Sequence, residues 1–133
     1  MADDVDVIRA HYAASDRGDL AGMLAPLAAD AEWTEMAGFP YAGTYIGPDA
    51  VRDNVFARIG AEWEGYTASV EEVIGAEDGV VLGIGTYSGT FRATGRHMSA
   101  RFVHVWRLSG GKVRRFEQFT DTERVNAAIR SEG

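Results

Sequence analysis

The chain has 133 residues, 46% of them apolar and 25% charged, the balance of one globular domain that can fold without disulfides or a structural metal. There are no cysteines, which excludes thiol catalysis, disulfide frameworks and cysteine–zinc sites together. The net charge is −7, yet the seven basic residues from Arg92 to Arg115 have no acidic residue among them, so the remainder carries 6 basic and 20 acidic residues. Such a segment reads as a solvated or dimer-facing sheet surface rather than a nucleic-acid site, because the acidic remainder repels a polyanion. No run approaches the ~18 apolar residues that a membrane span needs, and the acidic start MADDVDVIRA lacks the pattern of a signal peptide. The expected location is the cytoplasm, with no membrane or nucleic-acid partner.

In chain order, Asp3 to Arg17 predicts a helix, with Asp3 or Asp4 as cap and Val5, Ile8 and Tyr12 at helical spacing. Gly18 ends it, and Asp19 caps a short helix over Leu20–Leu27 that Pro26 limits or breaks. Glu32 to Met36 reads as a strand, Gly38, Pro40 and Gly43 as breakers of a loop, and Thr44 to Ile46 as a second short strand. Pro48 suits the first turn of a further helix, whose apolar stripe is Val51, Val55, Phe56, Ile59 and Trp63. Four long strands follow, over Tyr66–Ile74, Val80–Phe91, His97–Leu108 and Lys112–Phe119. Hairpin turns are expected at Glu77-Asp78-Gly79 and Ser109-Gly110-Gly111. Asp121 to Arg130 closes the chain as a short helix. Helices followed by a run of antiparallel strands predict an α+β class, and Gly79, Gly83, Gly85 and Gly89 allow the sheet to bend strongly.

This element order, with D-R-G-D-L at Asp16–Leu20, G-T-Y-I-G-P-D-A-V at Gly43–Val51 and F-V-H-V-W-R-L-S-G-G-K-V at Phe102–Val113, resembles the SnoaL-like family. That family belongs to the superfamily of ketosteroid isomerases, polyketide cyclases and nuclear transport factor 2. The resemblance spans nearly the whole chain, read as one domain over residues 1–133. It implies a cone-shaped, barrel-like fold in which a strongly curved, mostly antiparallel sheet has its concave face covered by the N-terminal helices. It also implies an enclosed apolar pocket and a homodimer paired through the outer sheet face. Because the superfamily hosts several chemistries, the chemistry has to be read from the residues.

The resemblance places Glu35 at the proton-shuttling Asp of the isomerases. Glu35 also shares strand parity with Trp33, and an apolar wall beside it would raise its carboxyl towards a value suited to proton abstraction. His104 lies between Phe102 and Trp106 at period two, so all three are expected to point inward. The resemblance puts it near the isomerases' oxyanion Asp and the cyclases' catalytic His. A buried neutral imidazole there could donate to a carbonyl or enolate, or simply be a hydrogen-bonded core group. Asp121 has two roles open to it, the cyclases' acid–base Asp or the cap of the last helix. His11, rather than Tyr12, falls over the isomerases' oxyanion-hole tyrosine, so both familiar isomerase donors are replaced. His97 is seven positions from His104, on the opposite strand face, and no shared metal site is expected. Trp33, Phe39, Tyr45, Phe56, Phe102, Trp106 and Phe116, with Tyr12 and Gln118, are the expected substrate-binding wall.

Three functions fit. The leading one is a cofactor-independent, metal-free isomerase or cyclase acting on a small hydrophobic carbonyl compound. In it Glu35 or Asp121 takes a proton α to the carbonyl, and His104 or His11 stabilises the enolate. A non-catalytic small-molecule binder keeps the pocket but lacks a carboxylate–donor pair around one ligand atom. A dimerisation or partner-binding module fills the pocket with core side chains and exposes an apolar patch instead.

Overall fold

The computed structural model describes residues 3–130, and the two N-terminal residues and residues 131–133 lie outside the described part. Helix α1, Asp4–Asp16, is capped by Asp3, whose side chain accepts from the Asp6 N–H at 2.9 Å. It buries Ile8, His11, Tyr12 and Ala14 along one stripe. Asp19 caps α2, Leu20–Leu24, by accepting from Gly22 N–H at 3.0 Å. This helix is shorter than the pattern predicts, because Pro26 stops it and Leu27 already pairs with Val113. Strand β1 accordingly runs over Leu27–Glu35 rather than starting at Glu32. The alanine-rich Ala28–Ala31 stretch has helical propensity, which is overridden because Leu27 before it and Glu32 after it both pair with the last strand, across a register shift.

Strand β2, Gly43–Ile46, pairs antiparallel with β1. Pro48 then opens α3, Pro48–Val51, which continues through a wider π-helical turn over Arg52–Phe56 into α4, Ala57–Glu62. Trp63, expected on the helix stripe, instead adopts extended backbone and begins β3, Trp63–Gly75, opposite Phe91. Strands β4 (Val80–Phe91), β5 (Arg96–Ser109) and β6 (Lys112–Thr120) complete an antiparallel meander, followed by α5, Thr122–Ile129. The hairpin residues Asp78-Gly79 and Gly110-Gly111 all take positive φ, as two-residue turns between twisted strands require.

The sheet has the order β2-β1-β6-β5-β4-β3, and β1–β6 is its parallel pair. It is an open, curved sheet in an α+β fold, and its central strands alternate: in β4 Val81, Gly83, Gly85, Tyr87 and Gly89 are buried and the residues between them are not. Its concave face holds two apolar clusters. One centres on Ile8, Tyr12, Trp33, Trp106 and Phe116, the other on Phe39, Tyr41, Trp63, Tyr87 and Phe102 beneath α5. Its outer face carries much of the basic segment, where Arg101 pairs with Glu71 and Arg107 lies 4.0 Å from Glu117. Two arginines of the basic run thus face acids on other strands of the same sheet face.

Two glycines of β4 let other groups approach the sheet. A Cβ on Gly85 would lie 2.2 Å from the Ser69 carbonyl oxygen and 2.8 Å from Phe102 Cζ; one on Gly83 would lie 2.0 Å from Tyr12 Oη. Gly85→Ala therefore meets backbone that cannot rotate away. We expect it to lose about 1–3 kcal/mol of stability in urea denaturation. A loss below about 0.5 kcal/mol, the range of ordinary surface substitutions, would show that β3 can shift aside.

Candidate functional site

Between the concave sheet face, α1 and α4 lies a cavity of about 490 Å³. Its mouth is formed by exposed positions including Gly18, Leu20, Gly60, Gly65 and Arg92, and its deep end by the buried Trp33, Glu35, His104 and Gln118. Aromatic packing holds that end in shape. Trp33 stacks on Phe116 at 3.8 Å between ring centroids, and His11 meets Trp106 edge-on at 4.7 Å. Each such contact contributes about 0.5–1.5 kcal/mol beyond its buried area.

Glu35, at the end of β1, is buried, and its Oε2 has no hydrogen-bond partner. Burial in apolar surroundings pushes its carboxyl up to about 8, with the Trp33 indole N–H pulling weakly the other way. Trp33 Nε1 makes no hydrogen bond, and neither does the hydroxyl of Tyr66. Glu35, Trp33 and Tyr66 all line the cavity. Three polar atoms at the cavity wall therefore have no partner within the described residues, an arrangement that normally implies a water or a ligand.

His104 is bound on both sides. Its Nδ1 hydrogen-bonds the Tyr12 hydroxyl at 2.7 Å and its Nε2 the Tyr87 hydroxyl at 2.5 Å. Trp106 Nε1–H donates to Tyr12 at 2.9 Å, and Gln118 Nε2–H donates to Tyr87 at 3.1 Å. Burial holds the imidazole well below its usual range and both phenols well above theirs, so all three are neutral. His11 Nδ1 lies 2.9 Å from the Met23 carbonyl oxygen, to which it donates, and burial lowers this imidazole to about 4.

The structure brings Glu35, His104 and His11 together around the cavity with Tyr12, Trp33, Phe56, Phe116 and Gln118. It leaves Asp121 outside: this residue is exposed and caps α5, accepting from Arg124 N–H at 3.2 Å. Four members of the expected wall also stand elsewhere. Trp106 is fully buried behind Tyr12, and Phe102 is stacked between His104 and Tyr87 at 4.1 and 4.4 Å. Phe39 packs under α5 with Tyr41, and Tyr45 donates its hydroxyl to the Tyr41 carbonyl at 2.8 Å, fastening the loop before β2. His104 has no free nitrogen to offer a ligand directly. Sequence reasoning missed Tyr66, Tyr87 and Arg92. The signal for Tyr87 was present, since it shares inward parity with Gly83 and Gly85, where missing side chains leave room for others. Among the described residues, no three His, Asp or Glu side chains cluster as metal ligands.

A curved α+β sheet closed by helices over one apolar cavity with a buried carboxyl defines a class of small pocket proteins. The profile of the SnoaL-like domain matches residues 8–116, and the chain belongs to that family. It is similar to a solved nuclear transport factor 2-like protein of Burkholderia thailandensis, with 50% identity and a TM-score of 0.96 over 98% of this chain and 100% of that one. A structure of TerC co-crystallised with polyporic acid is 29% identical, with a TM-score of 0.82 over 96% and 98% of the two chains. An uncharacterized protein of Mycobacterium tuberculosis is 30% identical over 87% of each chain.

The buried titratable groups set a pH dependence of stability. Glu35 has a folded value of about 8, above its unfolded ~4.3, so between these the native state holds an extra proton and stability falls as pH rises. His11 and His104 are lowered below their unfolded ~6.5, so their contribution is lost as pH falls through that value. Below pH ~6.5 two imidazoles outweigh one carboxyl, and above it the carboxyl dominates. Stability from these groups peaks near pH ~6.5, and Glu35→Gln abolishes the decline on the alkaline side. Thermal melts of both proteins from pH 5 to 9 check this, and parallel alkaline limbs would refute it.

Proposed function

We propose that this protein binds a small, largely apolar carbonyl compound in the 490 Å³ cavity and catalyses its enolisation, the chemistry of isomerases and aldol-type cyclases. The observation that carries this reading is Glu35: a buried carboxyl, raised to about 8, with one oxygen unpartnered at the cavity wall. In its ionised form it takes a proton from the carbon α to the carbonyl, and it returns that proton to the same or another carbon. A phenol of the Tyr12–His104–Tyr87 group, or the free Trp33 and Tyr66 donors, receives the developing enolate oxygen. The role first read for His104 thereby passes to its tyrosines. The ring-rich walls favour a planar ligand, and the polyporic acid held by TerC is consistent with that preference.

A second reading, a binder without catalysis, draws on the same burial, since near neutral pH Glu35 is mostly protonated and acts as a hydrogen-bond donor. An open cavity favours either of these over a partner-binding module with a filled core. Pairing of two copies is supported by the outer sheet face, where Leu82, Ile84, Val103 and Val105 are half-buried and Phe119 is 46% exposed.

Deuterium exchange at the α-carbon of 2-acetonaphthone and a panel of cyclic ketones, followed by NMR, separates the two readings. Enolisation predicts exchange that rises with pH and levels off above about 8, where Glu35 is ionised. Glu35→Gln should slow it by ~10²–10⁴-fold. Ketones that bind with no exchange, or exchange unaffected by Glu35→Gln, would leave the binder as the function.

A further inference from the structure

The hydrogen-bond network around His104 holds one more proton than it has contacts to place it in. Both ends are anchored by groups that can only donate. Trp106 Nε1–H donates to Tyr12 Oη. The Met36 backbone N–H donates to Gln118 Oε1 at 3.3 Å, which fixes the amide so that its Nε2–H must face Tyr87 Oη. Between these ends are two contacts, Tyr12 with His104 Nδ1 and Tyr87 with His104 Nε2. Each contact uses one proton, whereas two phenols and a neutral imidazole bring three.

The imidazole proton is used in either tautomer, so the one left over is always phenolic. With the proton on Nδ1, Tyr12 accepts from both Nδ1 and Trp106, Tyr87 donates to Nε2, and the Tyr12 O–H is unspent. With the proton on Nε2, the roles exchange and the Tyr87 O–H is unspent. Neither hydroxyl has another hydrogen bond among the described residues, and both tyrosines line the cavity.

We propose that His104 is a positioning residue whose tautomer decides whether Tyr12 or Tyr87 offers the unspent phenolic proton to an acceptor oxygen of the ligand. The two hydroxyls sit on opposite sides of the imidazole, on α1 and on β4, so the cavity can meet an oxygen at either of two places without moving a side chain. Together with the unpartnered N–H of Trp33 and O–H of Tyr66, this gives the site a surplus of donors. The ligand it fits carries ketone, quinone or enolate oxygens rather than hydroxyl or amine donors. The inference rests on the reading that a small molecule occupies the cavity, and not on catalysis there.

The test is ¹⁵N NMR of the histidine rings, which distinguishes an N–H nitrogen from a lone-pair nitrogen; the chain has 3 histidines to assign. In Tyr87→Phe, Tyr12 still donates to Nδ1, and the Nε2–H tautomer leaves the fewest unpaired groups. In Tyr12→Phe the same reasoning favours the Nδ1–H tautomer. The two variants should therefore move the His104 nitrogens in opposite directions. A tautomer unchanged in both variants, or an imidazolium with two N–H groups, would overturn the proposal. Wild-type protein provides a measurement independent of how the variants fold. Titration with 2-acetonaphthone, which has an acceptor oxygen and no donor, should shift the tautomer balance, whereas 2-ethylnaphthalene should not. Equal responses to the two compounds would reject the switch. Failure of both to bind would instead count against the small-molecule reading, with the opposed shifts of the variants still deciding the switch.

Discussion

The hydroxyl of Tyr12 is the junction on which the site depends. It receives the Trp106 indole N–H, meets His104 on β5, and rests against β4 where Gly83 has no side chain. In this way one polar atom docks α1 onto the middle of the sheet. A hydrophobic helix face alone would bury area without fixing how far the helix stands from the strands. Here the stand-off is set by hydrogen bonds between groups that are costly to leave unpaired in a dry interior. The space that remains beside this contact is the cavity.

That geometry divides the buried polar groups into two kinds. Those around His104 bond to one another, with one phenolic proton left over, and hold the wall in place. Those of Glu35, Trp33 and Tyr66 are left without partners and give the cavity its chemical character. The carboxyl is the expensive member, since desolvation is the main influence on it. A protein that keeps such a group gives up stability at alkaline pH in exchange for a proton-carrying site near neutrality. The outer sheet face obeys the opposite logic, its charges being exposed and paired across strands for little net energy.

Much of the architecture was legible in the residues. Period-two alternation within Val80–Phe91 and His97–Leu108, the D-G and G-G turns and the capping aspartates Asp3, Asp19 and Asp121 specify local structure through short-range forces. Errors fell where a distant partner decides. Leu27 became strand by pairing with Val113 on β6, and Trp63 left the helix to pair with Phe91.

Strand parity correctly turned Trp33, Glu35, Phe102, His104 and Trp106 inward, because successive side chains must alternate across a pleated sheet. Parity assigns a face and carries no information about depth. Only the tertiary packing separated Trp33 and Glu35, which border the cavity, from Phe102 and Trp106, which support it from behind. Only that packing, too, joined Tyr12 to His104 across 92 positions of chain, since a hydrogen bond between distant residues depends on how helix and sheet meet.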